Sequence, residues 1–378
     1  MLIIKNANVH DGLGNVLKNT DIIIEGGIIK EVGEGLSCDG AEVVDAEGKE
    51  VFPGFIDACN KWGAAGPDLR DNDMNEHTNP VNPELNVIYA FDHEAMTFQN
   101  AFEYGTSAIG LMPSFGNVLG GQAAVYRTFG NHPYNMIIKE KAVMAASVSE
   151  EVKDTYGAQK KQPVTIMGIM ALLDEALQKA VRHTDDKDYD PKSEALKPVL
   201  SGEMPLFIHA QDDKEMDAVE LFMEKYPNIR YVFCGAYTLK KSRESVAQGN
   251  VGVVLGEQLT TSGDYKVKYK HIKHLLENGG VIALGNCRRG GSSKESLLWN
   301  AIITHQKGID EETVVKMISG NPAKLLGVDN IMGSVEAGKR ADLSIWSGNP
   351  IKKYSAKIEK MYIDGVNVLD KEVRLTCW

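Results

Sequence analysis

Val51-Phe52-Pro53-Gly54-Phe55-Ile56-Asp57, followed by Ala58-Cys59-Asn60-Lys61, is the stretch on which the fold turns. The apolar run reads as a buried strand, with polar residues at its end. Toward the N-terminus lie Ile22-Ile23-Ile24-Glu25 and Ile28-Ile29-Lys30-Glu31-Val32, flanking Gly26-Gly27. Two β-branched runs around a two-residue glycine loop predict a hairpin. Glu42-Val43-Val44-Asp45 reads as a further strand. At the far end, Ala341 to Trp346 reads as a strand, and Lys360 to Leu369 as a second hairpin around Asp364-Gly365. A lone hairpin is marginal in water, so the two chain ends are expected to pair into one small β-sandwich.

Between the ends, strand and helix patterns alternate. Pro205 to Ile208, Ile229 to Phe233 and Val281 to Leu284 read as buried strands. Helices are expected at Asp213 to Tyr226, around Ile272 and Leu276, at Ser296 to Gln306, from Glu311, and after Asn321-Pro322 as N-cap and first helical residue. Gly279-Gly280 sits where a left-handed helix cap belongs. Repeated strand–helix units imply parallel strands covered by helices. The intervening length suits one (β/α)8 TIM-like barrel, typically about 250 residues. The expected domains are therefore 51–333 as the barrel, and 1–50 with 334–378 as the β-sandwich. The charged segment from His183 to Pro198 reads as a solvated insertion or mobile loop.

Composition excludes several classes. The 378 residues carry 41 Lys+Arg against 52 Asp+Glu, a net charge of −11. That argues against nucleic acid or an anionic membrane as partner. No run approaches the roughly 18 apolar residues of a membrane span. The five cysteines, an odd number without a C-x-x-C pair, do not form a disulfide scaffold. The N-terminal run reads as no secretory signal, so a cytoplasmic, reducing setting is expected.

In a barrel of this kind the site lies where strands end. The residues found there are Cys59, Asn60 and Lys61, then His209, Cys234 and Asn286. The opening run at 51–57 resembles the signature that begins the barrel in the amidohydrolase superfamily. Asn321-Pro322-Ala323-Lys324-Leu325-Leu326-Gly327 and Gly333 to Leu343 resemble its closing signature. Asn75-Glu76, Pro113 to Val118 and Gly120-Gly121-Gln122 are similar to the imidazolonepropionase-like branch. The resemblance spans nearly the whole chain. It implies hydrolysis of C–N bonds in cyclic amides and related small molecules by a metal-bound water. It also makes a homo-oligomer, and a small-molecule ligand in the barrel mouth, the expected partners.

The same resemblance implies His-x-His after the first strand, a His after the fifth, a His after the sixth and an Asp after the eighth. Here these positions hold Cys59-Asn60-Lys61, His209, Cys234 and Asn286. Lys61 is a cation that repels a metal ion unless deprotonated. Asn286 is an amide and cannot serve as general base. The fourth-strand ligand has no convincing counterpart, with Arg127 and Lys139 as neighbours.

Each residue carries two readings. His209 is a hydrogen-bonded relic or a ligand. Cys59 and Cys234 are small buried thiols, or they form with His209 a soft site for one zinc. Lys61 fills the emptied metal position as an ion pair, or acts as a nucleophile or base. Arg288 and Arg289 are surface charges, or they make the mouth positive for an anion. Gly121 and Gln122 are expected to line the mouth, and His271 with His274, three apart on one helix, marks an exposed helix face or, at that spacing, a metal pair. Three functions follow: a hydrolase-family protein with a degraded metal site, a Cys/His zinc hydrolase of non-peptide C–N bonds, or a metal-free enzyme or binding protein built on Lys61.

Overall fold

The computed structural model describes residues 1–61, 63–64, 73–95, 98–184, 188–240, 243–256, 267–287, 294–370 and 373. The chain opens with β1 (Leu2–His10), β2 (Val16–Glu25), β3 (Ile28–Gly33), β4 (Glu42–Asp45) and β5 (Glu50–Pro53). The β2–β3 hairpin turns on Gly26 and Gly27, whose φ values of 58° and 78° suit a turn matched to strand twist. On its other edge β1 pairs in parallel, first with β4 and then with β5.

The barrel strands follow: β6 (Phe55–Asn60), β7 (Thr106–Leu111), β8 (Leu119–Arg127), β9 (Ile137–Ser147), β10 (Leu206–His209), β11 (Tyr231–Ala236), β12 (Gly252–Leu255) and β13 (Ile282–Leu284). They pair in sequence order, and the Asn286 N–H reaches the Cys59 carbonyl at 2.9 Å, bringing the last strand back to the first. The chain therefore folds as an α/β TIM-like barrel with an additional sheet.

The barrel departs from the expected all-parallel arrangement at one strand. β8 runs antiparallel to both β7 and β9. Connections 112–118 and 128–136 carry no α-helix and are too short for a parallel crossover, which needs a dozen or more residues. The strand count survives, so β10, β11 and β13 are still the fifth, sixth and eighth strands.

The covering helices are α1 (Glu150–Ala158), α2 (Ile166–Val181), α3 (Pro191–Leu200), α4 (Asp213–Met223), α5 (Glu244–Ala247), α6 (Tyr269–Glu277), α7 (Ser296–Gln306), α8 (Glu311–Met317) and α9 (Gly320–Leu326). α3 corrects the reading of 183–198 as loop. Ser193, Leu196 and Val199 recur at helical spacing and are buried, and charge covers only the outer face. Asn321 is not an N-cap either. It lies inside α9, and its amide donates to the Ile282 carbonyl at 2.7 Å.

The chain closes with β14 (Leu343–Trp346), β15 (Ile358–Ile363) and β16 (Val366–Asn367). β14 pairs antiparallel with β5, so both ends share one sheet ordered β16-β15-β14-β5-β1-β2-β3. Ile4, Val9, Ile22, Val51, Leu343 and Tyr362 are part of its apolar core. Gly54 alone separates the terminal sheet from the barrel. A Cβ there would lie 2.2 Å from Ser107 Oγ, so only glycine fits.

Candidate active site at the barrel mouth

Asp57 organises the end of β6. It is wholly buried, and its Oδ2 accepts from the amides of Asn60 and Asn286, both at 2.5 Å. Its Oδ1 accepts from the backbone N–H groups of Cys59 at 3.2 Å and Asn286 at 3.1 Å. Asn300 holds the other end of the Asn286 amide, donating to its Oδ1 at 3.3 Å. Burial pushes the Asp57 carboxyl up to about 7, although its N–H donors pull the other way. Asn286 thus stands after the eighth strand, with its amide nitrogen committed to a neighbouring carboxylate.

His209 ends β10, in register with Cys234 on β11. Its Nδ1 is 2.9 Å from Ser149 Oγ, and its ring stacks on Phe115 at 4.8 Å. Burial lowers its pKa below 6.5, so the ring is neutral at pH 7. Gly235 makes room for it. Its φ is +69°, and a Cβ there would lie 2.5 Å from His209 Nε2.

Cys59, Cys234 and Cys287 are buried free thiols, close enough to shift one another's ionisation. Burial pushes the Cys59 and Cys234 thiols up. Burial also opposes ionisation of Cys287, but hydrogen bonds from Cys234 and Cys59 outweigh it and hold that thiol down. Lys61 sits beside them. Its Nζ lies 3.9 Å from Glu151 Oε1 and 5.4 Å from the Phe115 ring centroid. Both side chains of the ion pair are about nine-tenths buried.

These residues do not fit the divalent ion that the fold implies. Lys61 brings an ion-paired ammonium, and Asn286, just beyond β13, brings an amide where the family resemblance implies a carboxylate. Among the described residues, the three donors of this kind within 4.8 Å of one another are His10, Glu311 and Glu312, on β1 and α8; Cys59, His209 and Cys234 do not form such a group.

The remaining expected residues serve other places. Gly121 and Gln122 lie on β8 against segment 83–85. The Gln122 amide donates to the Pro83 carbonyl at 3.2 Å, and its N–H to the Leu85 carbonyl at 2.7 Å. Arg127 pairs with Asp364 of the terminal segment at 2.9 Å, and Lys139 reaches the Leu326 and Gly327 carbonyls. The fourth strand instead ends in Ser147, whose hydroxyl lies 2.9 Å from Ser149 Oγ. Arg288 and Arg289 lie outside the described residues. His271 Nδ1 donates to the Leu239 carbonyl at 2.8 Å. Sequence reading did not single out Asp57, Phe115, Ser149, Glu151 or Cys287. Asp57 stands two residues before Cys59 in the opening motif, and Cys287 directly follows Asn286. The others needed the course of β8 and β9.

A family model for the amidohydrolase family matches residues 235–373. The dihydroorotase of Aquifex aeolicus (strain VF5) is 43% identical over 401 residues, covering 92% of this chain and 90% of that protein. The chain belongs to the amidohydrolase family. Members of this family generally use metal ions. The imidazolonepropionase of Clostridium tetani is 22% identical, over 95% of this chain and 90% of its own length. Amidohydrolase tasK of Hapsidospora irregularis is 20% identical, and there this chain spans only 40% of the relative's length. Among solved structures, an amidohydrolase from Thermotoga maritima MSB8 superposes with a TM-score of 0.88 at 28% identity, covering 97% of this chain and 99% of that one. Among the described residues, no helix is long and apolar enough to cross a membrane.

Proposed function

We propose that this amidohydrolase-family chain has given up metal-dependent hydrolysis and keeps its barrel mouth as a binding pocket for a small molecule. The observation that carries this reading is Lys61. It stands at a ligand position of the family's His-x-His, paired with Glu151 beside the Phe115 ring. A cation stabilised there by its own counter-ion competes directly with a divalent ion for the same space. Asn286 supports the same reading, because its amide can take no proton from a water. A cytoplasmic homo-oligomer remains the proposed setting.

Metal analysis of protein purified without a histidine tag tests this. The expected result is zinc far below one per chain, with no hydrolysis of dihydroorotate, hydantoins, imidazolones or dipeptides. Zinc near one per chain, lost in Cys234→Ala, would overturn it. That outcome would favour a second reading, a soft zinc site of Cys59, Cys234 and His209, whose donor atoms would have to draw together around the ion. Should an activity appear that chelators leave intact and Lys61→Met removes, Lys61 carries metal-free chemistry instead.

A further inference from the structure

Away from the barrel mouth, His10 ends β1 with only 2% of its surface exposed. Its Nδ1 lies 2.6 Å from Glu312 Oε1 on α8, and its Nε2 lies 3.1 Å from Glu50 Oε2 on β5. The ring stacks on Phe52 with centroids 4.0 Å apart and planes 8° from parallel. β1 and β5 belong to the terminal sheet, whereas α8 belongs to the barrel. One imidazole therefore bridges the two parts of the fold.

Among the described residues, the charged groups nearest to it have partners of their own. Glu311, beside Glu312, accepts from the Asn349 amide and pairs with Lys352 at 2.7 Å. Asp11, next along the chain, spends its carboxylate on the N–H groups of Leu13, Gly14 and Asn15 and on the Asn15 amide. Glu50 and Glu312 are the carboxylates in hydrogen-bond reach of the ring, and a Glu311 oxygen also lies within 4.8 Å of a ring nitrogen. The second oxygen of Glu312, Oε2, is buried and has no partner.

A neutral imidazole has one N–H and one lone pair. Here both nitrogens face carboxylate oxygens, so only the imidazolium can donate to both. The neutral ring would turn a lone pair on one carboxylate and lose that hydrogen bond. We propose that His10 is a proton-operated clasp that holds α8 of the barrel against the terminal sheet, closed when the ring is protonated and released when it is not.

Burial works against the charged ring, but Glu312 and Glu50 outweigh it and hold the His10 pKa above 6.5. A histidine raised on folding stabilises fully below its unfolded pKa, and that stability is lost as pH rises through the folded pKa. The window therefore lies above pH 6.5.

Thermal unfolding of the full chain and of His10→Gln, at pH 6 and at pH 9, tests the clasp. At pH 6 the variant should melt about 2–4 °C below the wild type, and at pH 9 the gap should close. Taking the difference between the two proteins cancels the titration of other groups, Asp57 included. A gap of the same size at both pH values would overturn the proposal, because it would make His10 a packing residue. If His10→Gln does not fold, Glu50→Gln replaces it. Removing one carboxylate should move the midpoint of the Tm–pH curve downward, and an unmoved midpoint would equally overturn the clasp.

Discussion

Asp57→Asn should cost this barrel about 1–3 kcal/mol, the desolvation cost of leaving a buried donor without an acceptor. The reason is donor counting. Oδ2 of Asp57 receives two side-chain amides, and Oδ1 receives two backbone N–H groups. An asparagine offers one acceptor oxygen and one NH2, so one face must set donor against donor with no water to help. Chemical denaturation of the two proteins measures the loss, and a change below about 1 kcal/mol would show that the network does not hold the mouth together. The pH dependence has its own sign. A carboxyl raised on folding to about 7 resists ionisation, so its contribution falls as pH rises from near 4 to near 7. That slope should be absent from Asp57→Asn.

Gly235→Ala is the second large effect expected. The substitution places a Cβ 2.5 Å from the His209 ring at a residue with φ of +69°. Left-handed backbone costs an L-residue about 1–2 kcal/mol, and overpacking typically adds about 1–3 kcal/mol. His209 has nowhere to retreat, since Phe115 stacks on it and Ser149 bonds its Nδ1. A loss of about 2–5 kcal/mol is expected, accompanied by loss of any ligand binding at the mouth. Full stability in this variant would mean that His209 has freedom the packed structure denies.

Much of this was legible in the residues. The hairpin at Gly26-Gly27, the strand at Glu42–Asp45 and the helix at Ser296–Gln306 lie where their patterns placed them. Each is set by local rules: turn chemistry, β-branching and a 3.6-residue stripe. The union of the two chain ends was legible because neither hairpin could stand alone. The reversal of β8 was not. Strand direction is set by the length of the connections, and the boundaries of β7 to β9 were never drawn. The same blind spot hid Ser147, Ser149 and Phe115, which reach the site only through those strands and their connections. Lys61 shows a different limit. Sequence placed it at the mouth and offered an ion pair as one of two readings, but the partner, Glu151, lies ninety residues away on α1.

The antiparallel pairing of β5 with β14 has a consequence for synthesis. Pro53 leaves the ribosome about 290 residues before Leu343, its register partner. At about 5–20 residues per second, that interval is about 15–60 s. Throughout it, β5 presents an unpaired edge, the kind of edge that recruits foreign strands. The barrel can assemble while the sheet at its base waits for its last members. Assembly of this chain is therefore finished from the outside, by its final strands, and truncation near the C-terminus should produce aggregation rather than a smaller soluble fold.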